Sequence, residues 1–142
     1  MTDMLKNWLD SNGFDATNME AVGENGSTAL LIAARKGEAD VVSELITLGA
    51  DVNKKNNDGN NALWNGVYAQ NETIIRALVD AGIDKDNRND NGATALMYAA
   101  SNALDEMVEL LLSLGCDKNI QNFDDYTALD LASTPKILKL LR

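Results

Sequence analysis

The feature that most constrains this chain is a 33-residue period in its glycines. Gly26, Gly59 and Gly92 follow this spacing, and so do Gly49, Gly82 and Gly115. Self-similarity at a fixed period is typical of stacked structural repeats. Four further positions keep the same period: Thr28, Asn61, Thr94 and Thr127; Leu30, Leu63, Leu96 and Leu129; Ala33, Gly66, Ala99 and Ala132; and Leu45, Leu78 and Leu111. The unit therefore occurs three times and begins a fourth time.

Each unit is predicted to be a turn followed by two short helices. Asn25-Gly26, Asp58-Gly59 and Asn91-Gly92 are tight-turn dipeptides that tolerate positive φ. The threonine or asparagine two residues after each glycine stands where a helix N-cap is needed. In the first unit we expect one helix as far as about Lys36 and a second from about Glu38 to Leu48, with Gly49 following its end. Such helix pairs cannot bury their apolar faces alone, so neighbouring units must stack.

Residues 26–37, GSTALLIAARKG, and residues 48–53, LGADVN, resemble the ankyrin repeat. The family's Thr-Pro-Leu-His tetrapeptide reads TALL, NALW, TALM and TALD in the four copies, so proline and histidine are missing from each. Alanine in the proline position still favours a helix. The resemblance covers about residues 24–142 and implies an all-α solenoid of helix-turn-helix units with short β-turns or hairpins. We expect one domain over residues 1–142, with full repeats at 24–56, 57–89 and 90–122.

The two ends of the chain are predicted to form caps, over residues 1–23 and 123–142. Met4, Leu5, Trp8 and Leu9 give an apolar stripe to an N-terminal helix that ends near Gly13. Thr127 and Asp130 are spaced like a capping box, and Ser133 or Thr134 before Pro135 can start a last helix. Asp125 replaces the glycine of the fourth turn, so we expect a looser hairpin there.

The composition argues against catalysis and against several kinds of partner. The chain has no histidine, which removes the usual Ser-His-Asp and Cys-His nucleophile systems and every histidine-containing metal site. Its net charge of −10 repels nucleic acid and anionic lipid. We therefore expect no enzyme activity, no cofactor, no metal, no nucleic acid and no membrane. A lone cysteine, no membrane-length apolar run and no signal-peptide pattern favour the cytoplasm.

Three groups with reactive potential have simpler interpretations. Asp84 with Asp86, and Asp124 with Asp125, could contact a cation, but aspartate is a standard turn residue and a calcium site needs more ligands. Cys116 occupies the repeat position of Ala50 and Ile83, which favours a small packed side chain over a nucleophile.

The resemblance also implies where a partner binds, because turns and first helices line the concave groove of ankyrin proteins. All five aromatic residues within the repeats fall on those elements. Aromatic side chains are common interface hot spots. Tyr68, Phe123 and Tyr126 are the best candidates, while Trp64 and Tyr98 are as consistent with internal packing. The candidate partner-binding residues are Arg35, Lys36, Asn57, Asp58, Asn60, Trp64, Asn65, Tyr68, Asp90, Asn91, Tyr98, Ser101, Asn102, Phe123, Asp124 and Tyr126.

The sequence therefore predicts a non-catalytic protein-binding module that acts through its concave face, as an inhibitor, an immunity protein or an adaptor. The acidic balance favours a partner with a basic surface, and the free chain is expected to be a monomer. The alternative is a structural subunit of a larger assembly that uses its convex or terminal surfaces.

Overall fold

The structure is a computed structural model that describes residues 1–142. The chain forms eight α-helices and no β-strand, which confirms the predicted all-α fold. Its residues cluster into two compact units, residues 1–83 (unit 1) and residues 84–142 (unit 2). The division into one domain with three full repeats stays a prediction. None of the eight helices combines the length and the apolar content that crossing a bilayer requires.

Unit 1 contains five helices and begins with the predicted N-terminal helix. They are α1 (Asp3–Ser11), α2 (Ala29–Arg35), α3 (Ala39–Thr47), α4 (Ala62–Tyr68) and α5 (Glu72–Asp80). The N-caps predicted for α2 and α4 are confirmed, because Thr28 and Asn61 each accept a backbone N–H at 3.4 Å. In the first repeat, α2 and α3 lie within one residue of the predicted bounds.

Unit 2 contains α6 (Ala95–Ser101), α7 (Asp105–Ser113) and α8 (Pro135–Leu141). Thr94 caps α6, and Thr134 caps α8 with Pro135 as its first residue, as predicted. The predicted pairing of Thr127 with Asp130 is also present: the Asp130 carboxylate accepts the Thr127 N–H, and the Thr127 hydroxyl accepts the Asp130 N–H.

The fourth repeat has no regular first helix, because residues 128–131 form turns only. Only residues 128–134 separate Thr127 from Pro135, and proline disfavours helical backbone at the residue before it. Thr134 is accordingly extended, with φ −133° and ψ 156°. The remaining residues are too few for a seven-residue helix together with the connection to α8.

The turns before α4 and α6, and the corresponding fourth turn, share one hydrogen-bonding device. The side-chain oxygens of Asn56, Asn89 and Asn122 each accept the backbone N–H two and four residues further on, at 2.9–3.1 Å. Asp125 adopts φ +66° in the fourth turn, where the earlier turns have glycine. Because the asparagine bonds are the same, the fourth turn is held like the others rather than loosened.

The core of each unit includes the apolar positions that repeat along the chain. Leu45, Leu78 and Leu111 on the second helices have no exposed surface, and Leu30, Leu63 and Leu96 on the first helices are almost as deeply buried. Full burial of such a side chain stabilises the fold by about 1.5–3 kcal/mol. The predicted covering role of α1 agrees with the burial of Leu5 and Leu9, both 0% exposed, whereas Trp8 is half-buried.

Glu44 joins α1 to α3 and is therefore not an inert surface residue. Its carboxylate accepts the backbone N–H of Thr2 at 2.7 Å and the Thr2 hydroxyl at 2.6 Å. These hydrogen bonds lower the pKa of the Glu44 carboxyl below its ordinary value. The same Thr2 hydroxyl accepts the Leu5 N–H, so Thr2 both caps α1 and links it to Glu44 on α3.

Candidate functional site

The candidate residues of unit 1 lie at the end of α2, along α4 and in the turn before α4. Arg35 and Tyr68 are directly in contact, since the Arg35 Cζ lies 5.5 Å from the centroid of the Tyr68 ring. This distance is within the range of a cation–π interaction. Tyr68 is 52% exposed, so one side of its ring supports the guanidinium while much of its surface faces solvent.

A polar cavity of about 190 Å³ lies beside this pair. It is lined by the turn residues Asn25, Asp58 and Asn60 and by Arg35, Trp64 and Tyr68, among others. The Asn25 side-chain amide donates to the Asp58 carboxylate at 2.9 Å. Asn57 is exposed, and its backbone N–H donates to the Asn25 carbonyl at 2.9 Å. Of the predicted polar residues of unit 1, Arg35, Asp58 and Asn60 thus line one cavity, whereas Lys36 and Asn57 do not line it.

Asn65 differs from its predicted neighbours because it is only 7% exposed. Its side-chain amide donates to the Leu31 carbonyl at 2.8 Å and so ties α4 to α2. This bond satisfies a buried polar group within the fold, and we leave Asn65 out of the proposed binding surface. Trp64, whose status the sequence left open, is half-buried.

A larger cavity of about 370 Å³ lies between the loop that follows α1 and the ends of α2 and α4. Arg35, Lys36 and Tyr68 line it together with Phe14 and Ile32. Sequence reasoning did not select Phe14, which lies outside the repeats. The one available signal was a bulky apolar residue placed directly after the glycine that ends the N-terminal helix.

In unit 2 the fourth turn presents two exposed aromatic side chains, Phe123 and Tyr126, which are 66% and 51% exposed. The Arg88 Cζ lies 5.2 Å from the Phe123 ring centroid. Arg88 also donates to the carbonyls of Gly92 and Gln121, at 3.3 and 2.8 Å. Sequence reasoning missed Arg88, which positions Phe123 by holding the turns on either side of it.

The remaining candidates of unit 2 fall into two groups. Asp90, Asn91 and Asp124 are exposed turn residues, and the Asn91 carbonyl accepts the Phe123 N–H at 3.0 Å. Tyr98, Ser101 and Asn102 lie at the end of α6, where the Ser101 hydroxyl and the Asn102 amide both donate to the Tyr98 carbonyl. Tyr98 itself is half-buried.

The acidic pairs of the sequence take part in turn hydrogen bonding. The Asp84 carboxylate accepts the Asp86 N–H at 3.1 Å, and the Asp86 carboxylate accepts the Asp117 N–H at 2.8 Å. Cys116 is buried, and burial together with the nearby Asp86 carboxylate raises the pKa of its thiol to about 11. A thiol with this pKa is protonated at neutral pH and is a poor nucleophile.

Paired helices in each unit, joined by regularly capped turns that expose aromatic side chains, define a helical-repeat protein. A family model described as ankyrin repeats in three copies matches residues 1–89, and a second, described as ankyrin repeats in many copies, matches residues 78–132. The chain belongs to the ankyrin-repeat family. No curated protein sequence matches it. Ankyrin repeats are generally protein–protein interaction modules, and proteins that contain them are typically non-catalytic.

Proposed function

We propose that this chain binds another protein without catalysis, through the turns and first helices of its repeats. The unit 1 surface comprises Arg35, Lys36, Asn57, Asp58, Asn60, Trp64 and Tyr68; the unit 2 surface comprises Asp90, Asn91, Tyr98, Ser101, Asn102, Phe123, Asp124 and Tyr126. The observation that carries the proposal is that Tyr68, Phe123 and Tyr126 are all more than half exposed. The biological role is that of an inhibitor, an immunity protein or an adaptor.

Exposed aromatic side chains support binding because they offer a large contact area and lose little rotamer freedom. Two of the three are also held in place before a partner arrives. Arg35 lies over Tyr68, and Arg88 lies over Phe123 while bonded to two backbone carbonyls. A side chain that is already positioned loses less entropy on association, and this improves affinity without new contacts.

The charge around the aromatic residues favours a basic patch on the partner at the unit 2 surface. Asp124 and Asp125 lie between Phe123 and Tyr126 in the fourth turn. With a net charge of −10 for the whole chain, association with a basic surface should be fast at low salt and slower as salt is added. We further propose that the free chain is monomeric and acts in the cytoplasm, where a single reduced cysteine is stable.

The proposal is tested by capturing partners from a lysate of the cells that make this chain, identifying them, and measuring binding of the purified partner to variants. Tyr68→Ala, Phe123→Ala and Tyr126→Ala should keep the helical circular dichroism spectrum, and at least one should weaken binding by about 2 kcal/mol or more. Ser43→Ala on α3 is the matched control, since Ser43 is exposed on a second helix and the change removes only one hydroxyl group.

Glu44 is unsuitable as that control because its carboxylate holds the start of α1. Full-strength binding by all three aromatic variants would refute the proposed surfaces. If changes on the second helices abolished binding instead, the chain would be a structural subunit that uses the opposite side of its repeats.

A further inference from the structure

The larger cavity of unit 1 combines free positive charge with an apolar wall, and we call it the cap cavity. Its defining side chains are Phe14, Glu24, Ile32, Arg35, Lys36 and Tyr68. Its volume of about 370 Å³ lies at the lower end of the range for ligand pockets, roughly 300–1,000 Å³. A cavity of this size suits one or two side chains of a peptide.

Arg35 is an exposed cation on the lining of the cap cavity. The two ion pairs of the chain are Arg76 with Glu72 and Lys136 with Glu109, so Arg35 has no carboxylate partner. The Arg35 Cζ lies over the Tyr68 ring, 5.5 Å from its centroid. The N–H donors of a guanidinium lie in its plane and match the two oxygens of a carboxylate, and a cation–π contact does not pair them with a carboxylate.

Lys36 places a second positive charge on the same wall. Its ammonium donates to the Asn12 side-chain oxygen, and both residues line the cavity. An ammonium has three donors, so this bond leaves two for a ligand. Glu24 is the acidic side chain on the lining. Two cations against one carboxylate make the cap cavity locally positive in a chain of net charge −10.

The apolar wall is held rigidly. The rings of Phe14 and Trp8 are stacked, with centroids 6.3 Å apart and planes 5° from parallel. Phe14 is only 7% exposed, and its backbone N–H donates to the Leu9 carbonyl at 2.9 Å. Ile32 on α2 is half-buried and extends this wall towards Arg35. An aliphatic side chain that entered here would meet a preformed surface.

We propose that the cap cavity binds a short acidic–apolar segment of the partner, with a carboxylate on Arg35 and Lys36 and the next, aliphatic side chain against Phe14 and Ile32. This inference rests on the proposed function and adds the chemistry of one contact. It differs from the unit 2 surface, where the exposed aspartates favour a basic patch. The chain would then bind both an acidic segment and a basic patch of the same partner.

The test uses blocked dipeptides and the whole chain, so it does not depend on knowing the partner. N-acetyl-Asp-Leu-amide is titrated to millimolar concentration while the amide signals of Phe14, Arg35 and Lys36 are followed by NMR. We expect these signals to move together. The Asn-Leu peptide should bind about tenfold more weakly, because hydrogen bonds to charged groups are the stronger ones. An Asp-Ser peptide should also bind more weakly, because it lacks the aliphatic group.

Variants of the chain separate the carboxylate contact from a general charge effect. Arg35→Gln should weaken the Asp-Leu peptide about tenfold and leave the Asn-Leu peptide nearly unchanged. Arg76→Gln is the matched control, since Arg76 is an exposed arginine on α5 that is already paired with Glu72. Glu24→Gln should strengthen Asp-Leu binding, because it removes the negative charge from the lining. If Arg35 and Glu24 were only structural, their replacement would not weaken binding of the Asp-Leu peptide in one case and strengthen it in the other.

Four results of the peptide titrations would overturn the inference. They are equal binding of the Asp-Leu and Asn-Leu peptides, equal effects of acetate and of the Asp-Leu peptide, signal changes confined to residues 84–142, and no signal changes at all. Concentration-dependent changes of the same signals without peptide would make a second copy of the chain the occupant and would also overturn it. Because no partner protein is used, these outcomes are independent of whether Phe123→Ala and Tyr126→Ala weaken partner binding.

Discussion

Replacing Leu9 by alanine tests whether α1 is a structural cap or a dispensable tail. Leu9 is 0% exposed and belongs to the α1 face that packs against α3. Leucine-to-alanine changes in cores cost about 2–5 kcal/mol, depending on how far the site can collapse. Because α1 is packed against a helix on one side and exposed on the other, relaxation is easy, and we expect a loss of about 2–3 kcal/mol in the free energy of unfolding.

The assay is urea unfolding followed by helical circular dichroism, with the midpoint and the slope compared between variants. Lys6→Ala is the control, because Lys6 lies on the exposed side of the same helix and alanine favours helix, so the change should stay within about 0.5 kcal/mol. Equal midpoints for Leu9→Ala and Lys6→Ala would refute the cap. If Leu9→Ala instead produced a separate unfolding step at low urea and left the main midpoint unchanged, α1 would unfold independently of the repeats.

Three further predictions concern single residues. Ala103 adopts φ +59°, and Ala103→Gly should raise the free energy of unfolding by up to about 1 kcal/mol in the same urea assay, since relief of left-handed strain exceeds the entropy that glycine adds to the unfolded chain. The folded chain lowers the pKa of Glu44, so this carboxylate stabilises the fold at pH values above its ordinary pKa of 4.5, and the stabilisation is lost as the pH falls through the lower pKa of the folded state. The difference in Tm between the native chain and Glu44→Gln should therefore narrow between pH 6 and pH 3. A constant difference would contradict this. Cys116, with a thiol pKa of about 11, should react with iodoacetamide at pH 8 much more slowly in the folded than in the urea-unfolded chain, and equal rates by mass spectrometry would show an accessible thiol.

The parts of the fold that sequence reasoning predicts are those fixed by local chemistry. Thr28 and Thr94 cap helices because a side-chain oxygen three residues before a backbone N–H needs no distant partner. Pro135 begins the last helix for a similarly local reason. The asparagines at 56, 89 and 122 keep the 33-residue period and were equally readable from the sequence. The hydrogen bonds that these asparagines form could not be predicted, because an asparagine in a turn has several possible hydrogen-bond partners.

The candidate site depends more on tertiary contacts and was predicted less completely. Asn65 has the same polar character as its exposed neighbours, and only the approach of α4 to α2 shows that its amide serves the Leu31 carbonyl. Phe14 lines the cap cavity through a stack with Trp8 that no repeat pattern encodes. Arg88 carries no signal in the sequence, because its value lies in joining two turns that are 33 residues apart.

The repeat itself explains why the proposed surfaces can vary without loss of the fold. Arg35, Tyr68 and Ser101 occupy the same place in successive repeats, seven residues after a capped N-terminus, and all three are exposed. The two places before it hold small buried residues in each repeat, so the backbone at this position is fixed by core packing that does not depend on the exposed side chain. These pairs are Ala33 and Ala34, Gly66 and Val67, and Ala99 and Ala100. One position can therefore present a guanidinium, a phenol or a hydroxyl on an unchanged helix end. Chemical diversity at that position costs little stability, and this makes it a suitable place for partner specificity to reside.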